Sequence, residues 1–555
     1  MKTLFTLLFT LLPAVGLQAQ DFESAASAVK NMGVGWNLGN TLDANGNGVQ
    51  QGLESETSWG QPKTKPELMK MMKEGGFGAI RVPVTWYNHM DADGKVTAEW
   101  MARVKEVVDY VIDNGMYCIL NVHHDTGDGS THWLHASMNY YNNTKTKYEY
   151  LWSQIGETFK GYDQHLLFEA YNEMLDEYNS WCFASFKADG QYNATSAADS
   201  YKAINSYAQS FVNTVRATGG NNQQRNLVIN TYGACNGSGN WNAHLKEPLT
   251  QLTIPTDPAG TGHIAVQVHS YPNIANLESA KSEVNLMFAD LNTYFISKGL
   301  PVIIGEWGTS NVDADVTDYE ADREKYLNFA SYFVTKAKQY NAGTFYWMGI
   351  SDGSFRVEPL FSQPDLAKAI VGAYHGSTEG FVYPEAGNVS SLTCFDDSKV
   401  LGWGDGVKID AAKFSMIGPS AQLVLTYQQT KDSGDDIQFF LGDWSAKVPS
   451  MVDGNSFDGD FGPSGFYDSG AGSTHTTTFA FSESNGQMLA SKGLIIHGDG
   501  ITLKKAVLKN PSASAVQPLR ADAGTPSPVY NLSGQRVTVP RKGVYIVNGC
   551  KVVMK

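Results

Sequence analysis

The sequence predicts an α/β protein, a (β/α)8 TIM barrel followed by an all-β sandwich domain, and three observations carry that expectation. Between about residues 25 and 376, short apolar runs of strand length alternate with longer helix-compatible stretches. After about 376 the texture becomes period-two alternation broken by Gly, Asp, Ser and Asn clusters. The chain has 555 residues, more than one ordinary core accommodates, so at least two domains are expected.

The apolar runs are VGWNL (34–38), GAIRV (78–82), YCILNV (117–122), LLFEAY (166–171), NLVIN (226–230), IAVQV (264–268), PVIIGE (301–306) and GTFYWM (343–348), eight in all. A doubly wound sheet also alternates, but it usually stops short of eight strands. Thr64-Lys65-Pro66-Glu67 has the capping-box order with Pro in the first turn, and Gly75-Gly76 ends the helix it starts. In the second half, AQLVLTYQQ, IQFFLGDW, TTTFAFS and GLIIHGDGITLKKAVLK read as strands of a sandwich over 377–510. His497-Gly498-Asp499-Gly500 reads as a hairpin turn between the last two. Residues 511–555 begin as a linker by composition and end in a segment with a tight hairpin over Asn548-Gly549, too short for a core of its own.

Residues 1–19 form a signal peptide: Lys2, an apolar run, then small residues around Ala19, so a secreted or cell-surface bacterial protein is expected. The catalytic barrel then spans 20–376. No later segment has the length of uninterrupted apolar residues that a membrane span needs. The formal net charge of −15 argues against nucleic acid or an anionic membrane surface as partner. The five cysteines are scattered and odd in number, giving neither a disulfide framework nor a CxxC metal pattern.

In a (β/α)8 barrel chemistry collects where strands finish at the C-terminal face. Strand three ends NVHHD, strand four YNEM, strand six QVHSY and strand seven GEWGTS, while strand two carries Arg81 inside an apolar run. Glycosidic hydrolysis needs one carboxylic acid to protonate the leaving oxygen and an ionised carboxylate to attack the anomeric carbon or activate water. Glu173 and Glu306 follow apolar strands, where desolvation can act on them. Period two places Glu169, Tyr171 and Glu173 on one face, with Glu169 deeper and structural. An inward Arg81 needs a charge partner, and Glu306 is the natural one. His123 and His124, as strand neighbours, point to opposite faces, and no HExxH or HxH pattern occurs, so no metal and no cofactor is expected. Trp347 and Trp36 sit at strand ends where rings either pack or stack on sugar.

GVGWNLGNTLDA, AIRVPVTW, NVHHD, FEAYNE, VHSY, IIGEWG and FYW, in that order, resemble glycoside hydrolase family 5, closest to its cellulase-type subfamily 4, over roughly residues 25–376. The resemblance implies a retaining, two-step endo-β-1,4-glucanase with Glu173 as acid/base and Glu306 as nucleophile. It also implies that Asn172 binds the 2-hydroxyl of the sugar being cleaved and that Arg81 and Tyr271 hold the nucleophile. His123 and His269 would line the cleavage subsite, with Trp347 stacking under the sugar. The chain departs from the family pattern at Met174, where Pro is usual, and at Trp307, where Phe is common. Xyloglucanase, mixed-linkage glucanase, mannanase and xylanase share the same rim, and a non-catalytic glycan-binding surface protein is the rival from another class. The sandwich resembles the carbohydrate-binding modules of secreted polysaccharidases, with Trp403 and Trp444 as stacking candidates and a plain spacer as the alternative. The C-terminal VYNLSGQRV…KGVYIVNGCKVV resembles sorting signals read by type IX secretion machinery, against a mere terminal hairpin.

Overall fold

The computed structural model describes residues 22–46, 52–129, 131–187, 190–309, 316–385, 391–402 and 406–511, with short strands between 529 and 554. The expected leader, most of the linker and Trp403 lie outside the described residues. Eight parallel strands close into a barrel: β1 (Val34–Asn37), β2 (Ala79–Val82), β3 (Tyr117–Asn121), β4 (Leu166–Glu169), β5 (Leu227–Asn230), β6 (Ile264–Ser270), β7 (Val302–Trp307) and β8 (Gly343–Tyr346), with β8 pairing β1. All eight expected runs are strands. Helices follow each one, though the connection after β5 carries just short turns, of which Glu247–Thr250 is α-helical.

Period two sorts the barrel interior into two layers. Ala79, Ile119, Leu167, Val228, Ala265, Ile303 and Phe345 form an apolar floor with Ala25, Ala28, Val29 and Met32, so the helix Ala25–Asn31 and the turn after it plug the bottom. Two residues further along the strands come the buried polar side chains Arg81, Asn121, Glu169, Asn230 and Gln267. Room is made by missing side chains. A Cβ on Gly35 would meet the Phe345 ring at 2.2 Å, and one on Gly305 would meet Gln267 at 2.2 Å.

The helix expected after Thr64 spans Pro66–Glu74 and stops at Gly75, but its cap differs. Lys65 holds the cap position without a side-chain bond. The Thr64 N–H instead donates to Glu56 Oε1 at 2.8 Å, and that carboxylate is clamped by the buried Arg103. A long-range ion pair has displaced the local capping box.

The first compact unit runs to Tyr383, past the expected boundary at 376, because the chain after the helix Pro364–His375 folds back. Phe381 lies against His375, and Tyr383 against Phe361. The second unit begins at Pro384. One antiparallel sheet has the order β10 (Val407–Ile409), β17 (Leu494–Asp499), β12 (Asp436–Leu441), β15 (Asp460–Phe461). The other has the order β16 (Thr474–Phe479), β11 (Gln422–Gln429), β18 (Ile501–Lys509), β9 (Ser391–Val400), and β13 (Ser450–Val452) pairs with β14 (Asn455–Phe457) in a separate hairpin. Phe439 and Phe461 of the first meet Phe479 of the second, with ring centroids 4.9 and 5.2 Å apart.

The turn at His497–Gly500 is not a hairpin. β17 pairs with β10 and β12, β18 with β11 and β9, so the chain passes from one sheet to the other at Gly500 (φ 68°). Three helices, Ala411–Ile417, Pro463–Tyr467 and Glu483–Lys492, also interrupt the expected all-β pattern. Trp444, just after β12, is exposed and holds a φ of 59°. Near the C-terminus, Gly543–Val547 pairs with Cys550–Met554, and Val547 faces Cys550 across the expected two-residue link.

Candidate active site

Arg81 organises the polar layer. Its Nε and Nη2 donate to Glu169 Oε2 and Oε1 at 2.7 and 2.8 Å, its Nη1 to Glu306 Oε1 at 2.7 Å and to Asn37 Oδ1 at 3.0 Å, and its Nη2 to Asn172 Oδ1 at 2.8 Å. The expected Arg81–Glu306 pair is therefore only part of the network. The deeper Glu169 takes the two-pronged contact, consistent with its structural reading, and accepts further from Asn121 and Asn230. Arg81 and Glu169 are both fully buried.

Such an ion pair is stable only while complete. Arg81→Met, which strands two carboxylates in the barrel, is expected to lower unfolding stability by about 3–5 kcal/mol. Adding Glu169→Leu should recover part of that loss. Urea melts followed by barrel tryptophan fluorescence check both, and a single-variant loss under about 1 kcal/mol would contradict the charge argument.

Glu306 reaches the mouth through a bulge. Ile303 and Gly305 follow the inward alternation, which would turn Glu306 outward. The β6–β7 register skips, however, with Val268 opposite Ile304 and His269 opposite Glu306. The extra residue re-aims the carboxylate, as bulges beside active sites do. Its neighbour Trp307 turns outward instead and stacks on Phe333, centroids 4.3 Å apart, so this departure from the family pattern packs against a helix.

Strand four slips as well. β4 ends at Glu169, and Tyr171 points outward, its hydroxyl donating to the Ile204 and Asn230 carbonyls. The expectation that Glu169, Tyr171 and Glu173 share a face fails because the strand geometry ends before Tyr171. Asn172 is the next inward side chain, and Glu173 stands at the mouth with its side chain about one-fifth exposed. Met174 is fully buried in the barrel core.

Glu173 and Glu306 sit in opposite electrostatic surroundings. Burial raises the Glu173 carboxyl above its ordinary value, against the opposing hydrogen bond and charge of His269. Burial would raise Glu306 too. The charges of His269 and Arg81 and the hydrogen bonds from Tyr271 and Arg81 outweigh it and hold Glu306 low. Tyr271 O–H donates to Glu306 Oε2 at 2.6 Å, and burial keeps that phenol protonated. His269 Nδ1 stands between the acids, 2.7 Å from Glu173 Oε1 and 3.6 Å from Glu306 Oε2.

Asn121 fixes the tautomer of His123. Its Oδ1 accepts from the Val84 N–H, so its Nδ2 donates to His123 Nδ1 at 3.1 Å, and the proton of His123 lies on Nε2. Burial keeps this imidazole neutral. Since Nε2 is then a donor, the Asn172 amide 3.5 Å away cannot bond to it and is available to the cleft. Trp347 lies parallel to His123 at 5.9 Å between centroids and is only partly buried.

Two expectations change. β3 ends at Asn121, so strand alternation does not separate His123 from His124, and their rings meet edge to face with centroids 4.5 Å apart. Trp36 offers no face to a ligand. Asn37 is inward, so its neighbour points out, and the fully buried indole donates to the Met348 carbonyl under the Arg356 guanidinium. As for metals, the donor atoms of Asp43, His123 and His124 lie within 4.8 Å of one another, as do those of Glu173, His269 and Glu306. Both trios are already engaged: the Asn40 and Thr41 amides donate to Asp43, and Arg81 and Tyr271 to Glu306.

The cellulase model of glycosyl hydrolase family 5 matches residues 42–353, more than half the chain. The chain belongs to glycosyl hydrolase family 5. This family 5 glycoside hydrolase is similar to Endoglucanase B of Ruminococcus albus, 36% identical over 322 residues, which are 56% of this chain and 70% of that protein. Among solved structures, a GH5-4 broad specificity endoglucanase from an uncultured bacterium aligns with TM-score 0.62 and 61% identity, covering 64% of this chain and 98% of that one. A family 5 enzyme from Prevotella bryantii B14, solved as a mutant with a xyloglucan tetradecasaccharide, aligns with TM-score 0.57 and 42% identity over 64% of this chain and 99% of that one.

Three asparagines that no motif singles out complete the polar layer. Asn37, Asn121 and Asn230 each hold Arg81 or Glu169, and each ends an otherwise apolar strand. That was a usable signal, because Asn is depleted in strands.

Proposed function

We propose that this family 5 hydrolase is a secreted endo-β-1,4-glucanase that acts with retention of anomeric configuration. The observation that carries the reading is the opposed pair: the Glu173 carboxyl is raised by burial and the Glu306 carboxyl is lowered by His269, Arg81 and Tyr271, with carboxyl oxygens within 4.8 Å of each other. Inverting enzymes need roughly 6.5–9.5 Å between the carboxyls to admit a water. Glu306 attacks the anomeric carbon while Glu173 protonates the departing oxygen, giving a glycosyl-enzyme intermediate. Glu173 then takes a proton from the water that cleaves it. In this reading Asn172 donates to the 2-hydroxyl of the reacting sugar, and Trp347 and His123 line its face.

For substrate, the names of the similar enzymes support β-glucans, and the xyloglucan complex of the Prevotella enzyme supports a branched glucan as a second substrate. Proton NMR during hydrolysis of cellopentaose tests the mechanism. β-Anomeric reducing ends should appear first, and α-first products would overturn retention. Hydrolysis of carboxymethylcellulose, barley β-glucan and xyloglucan, with mannan and xylan slower by about tenfold or more, is the expected specificity. The leader at 1–19 and the sorting-like C-terminus support export, which predicts activity in the medium or at the surface of the producing cell. Activity confined to the lysate would refute that.

A further inference from the structure

The barrel closes where β8 pairs β1, and the loops leaving these two strands meet above that seam. Trp347 is the first residue after β8. Its indole lies parallel to the His123 ring, and one edge of it rests against the bare backbone of Gly39 in the loop after β1. A Cβ on Gly39 would come within 3.0 Å of the indole and 3.4 Å of Met348 Cβ. The place of Gly39 therefore limits how far the ring can tilt.

Arg356, further along the loop after β8, reaches back to that glycine. Its Nη1 donates to the Gly39 carbonyl at 2.9 Å and its Nε to the Ser351 carbonyl at 2.7 Å. The guanidinium lies 4.9 Å from the ring centroid of Trp36, whose own N–H donates to the Met348 carbonyl. One side chain thus ties both loops to the indole beneath them.

Stability does not account for a cation at this position. Arg356 is 2% exposed, and among the described residues its Nη2 has no hydrogen-bond partner. Arg81 is neutralised by two carboxylates, whereas Arg356 donates to carbonyls. The acids whose charges act on it, Asp352 and Asp43, are bound by Gln61 and by the Asn40 and Thr41 amides. Burying a charge without a close counter-ion costs folding free energy, and an apolar chain of the same length would avoid that cost. What an apolar chain cannot do is hold two carbonyls at fixed places.

We infer that Arg356 is a positioning residue for the family 5 reaction, holding the Gly39 backbone as the wall that fixes the Trp347 indole. The inference rests on the reading of Trp347 as a face of the reacting sugar's site. Arg356 itself meets no sugar and acts through the wall. A small shift suffices, because misplacing a reacting group by about 1 Å can cost roughly 10²-fold in rate.

A double-mutant cycle tests the inference, since residues acting through one another give losses that do not add. kcat and KM on cellopentaose are measured for the full chain and for its Arg356→Met, Trp347→Ala and doubly substituted variants. Each preparation is standardised by the fraction of chain that 2,4-dinitrophenyl 2-deoxy-2-fluoro-β-cellobioside labels. Arg356→Met alone should lower kcat per labelled site about tenfold, and in the Trp347→Ala background by less than about twofold. Arg356→Lys, which keeps one donor for the Gly39 carbonyl, should recover part of the loss, and it takes the place of Arg356→Met in the cycle if that variant does not fold. A purely structural arginine would lower the labelled fraction and leave kcat per labelled site unchanged, or lower kcat by the same factor with and without Trp347. Either result overturns the proposal. Failure of the underlying reading shows separately, as a Trp347→Ala chain with undiminished turnover or a wild-type chain that takes no label, and removes the proposal with it.

Discussion

Glu306→Ala is expected to leave a folded barrel whose turnover of β-glucan is down by roughly 10⁴-fold or more. The side chain is nearly buried and makes two charge-assisted contacts, yet its removal does not strand an ion. Arg81 remains neutralised by both oxygens of Glu169. That division of labour distinguishes this site from a simple pair. Glu169 takes two of the guanidinium's N–H groups, whereas Glu306 takes one, so the proposed nucleophile is oriented and its carboxyl held low without losing its charge to the arginine. The variant should thus retain polysaccharide binding and most of its stability. It should also be rescued by a small anion. With an activated aryl cellobioside, azide in the space vacated by the carboxylate can attack the anomeric carbon as the phenolate leaves, giving the α-glycosyl azide. Chromatography and NMR of that product check the assignment, and undiminished hydrolysis by the variant would refute it.

The site was legible to different depths at different places. Strand positions were plain because a buried parallel sheet writes β-branched and aromatic runs into the sequence, and all eight emerge where expected. The two catalytic candidates were legible by type but not by direction. Strict alternation turns Glu306 outward, and only the skipped register against β6 brings it in. Which residue a bulge re-aims depends on the neighbouring strand, and a single sequence does not display that. Tyr171 and the His123–His124 pair differ from strict alternation because strand geometry stops at Glu169 and Asn121.

Trp36 failed differently. Its position at a strand end points to the rim, whereas alternation with the inward Asn37 assigns it to the outer layer. The Thr64 cap and the His497–Gly500 turn were sound local readings overruled by long-range pairing. In one case the Glu56–Arg103 ion pair took over, and in the other two sheets claimed the adjoining strands.

Glu173→Gln should separate the two halves of the reaction and reshape its pH dependence. On the proposed mechanism, the working state of the wild type needs Glu306 ionised and Glu173 protonated. Arg81, His269 and Tyr271 hold Glu306 low, so the acid limb of kcat/KM falls below the ordinary glutamate value of about 4.3. Burial raises Glu173, so the alkaline limb lies above that value, and activity peaks between the two. Since the groups share His269, the limbs belong to the pair: the first proton comes off mainly from Glu306 and the second mainly from Glu173. Glutamine cannot release a proton, so the alkaline limb should vanish while the acid limb stays. Turnover of unactivated glucan should drop by about 10²–10⁴-fold, the usual worth of a placed general acid. With 2,4-dinitrophenyl β-cellobioside, whose leaving group needs no proton, the first step should survive. The second should stall, because no base is left to activate water. Intact-protein mass spectrometry should then catch the chain carrying one cellobiosyl group on Glu306. Equal losses on both substrates, or an alkaline limb that persists in the variant, would remove Glu173 from the role of acid and base.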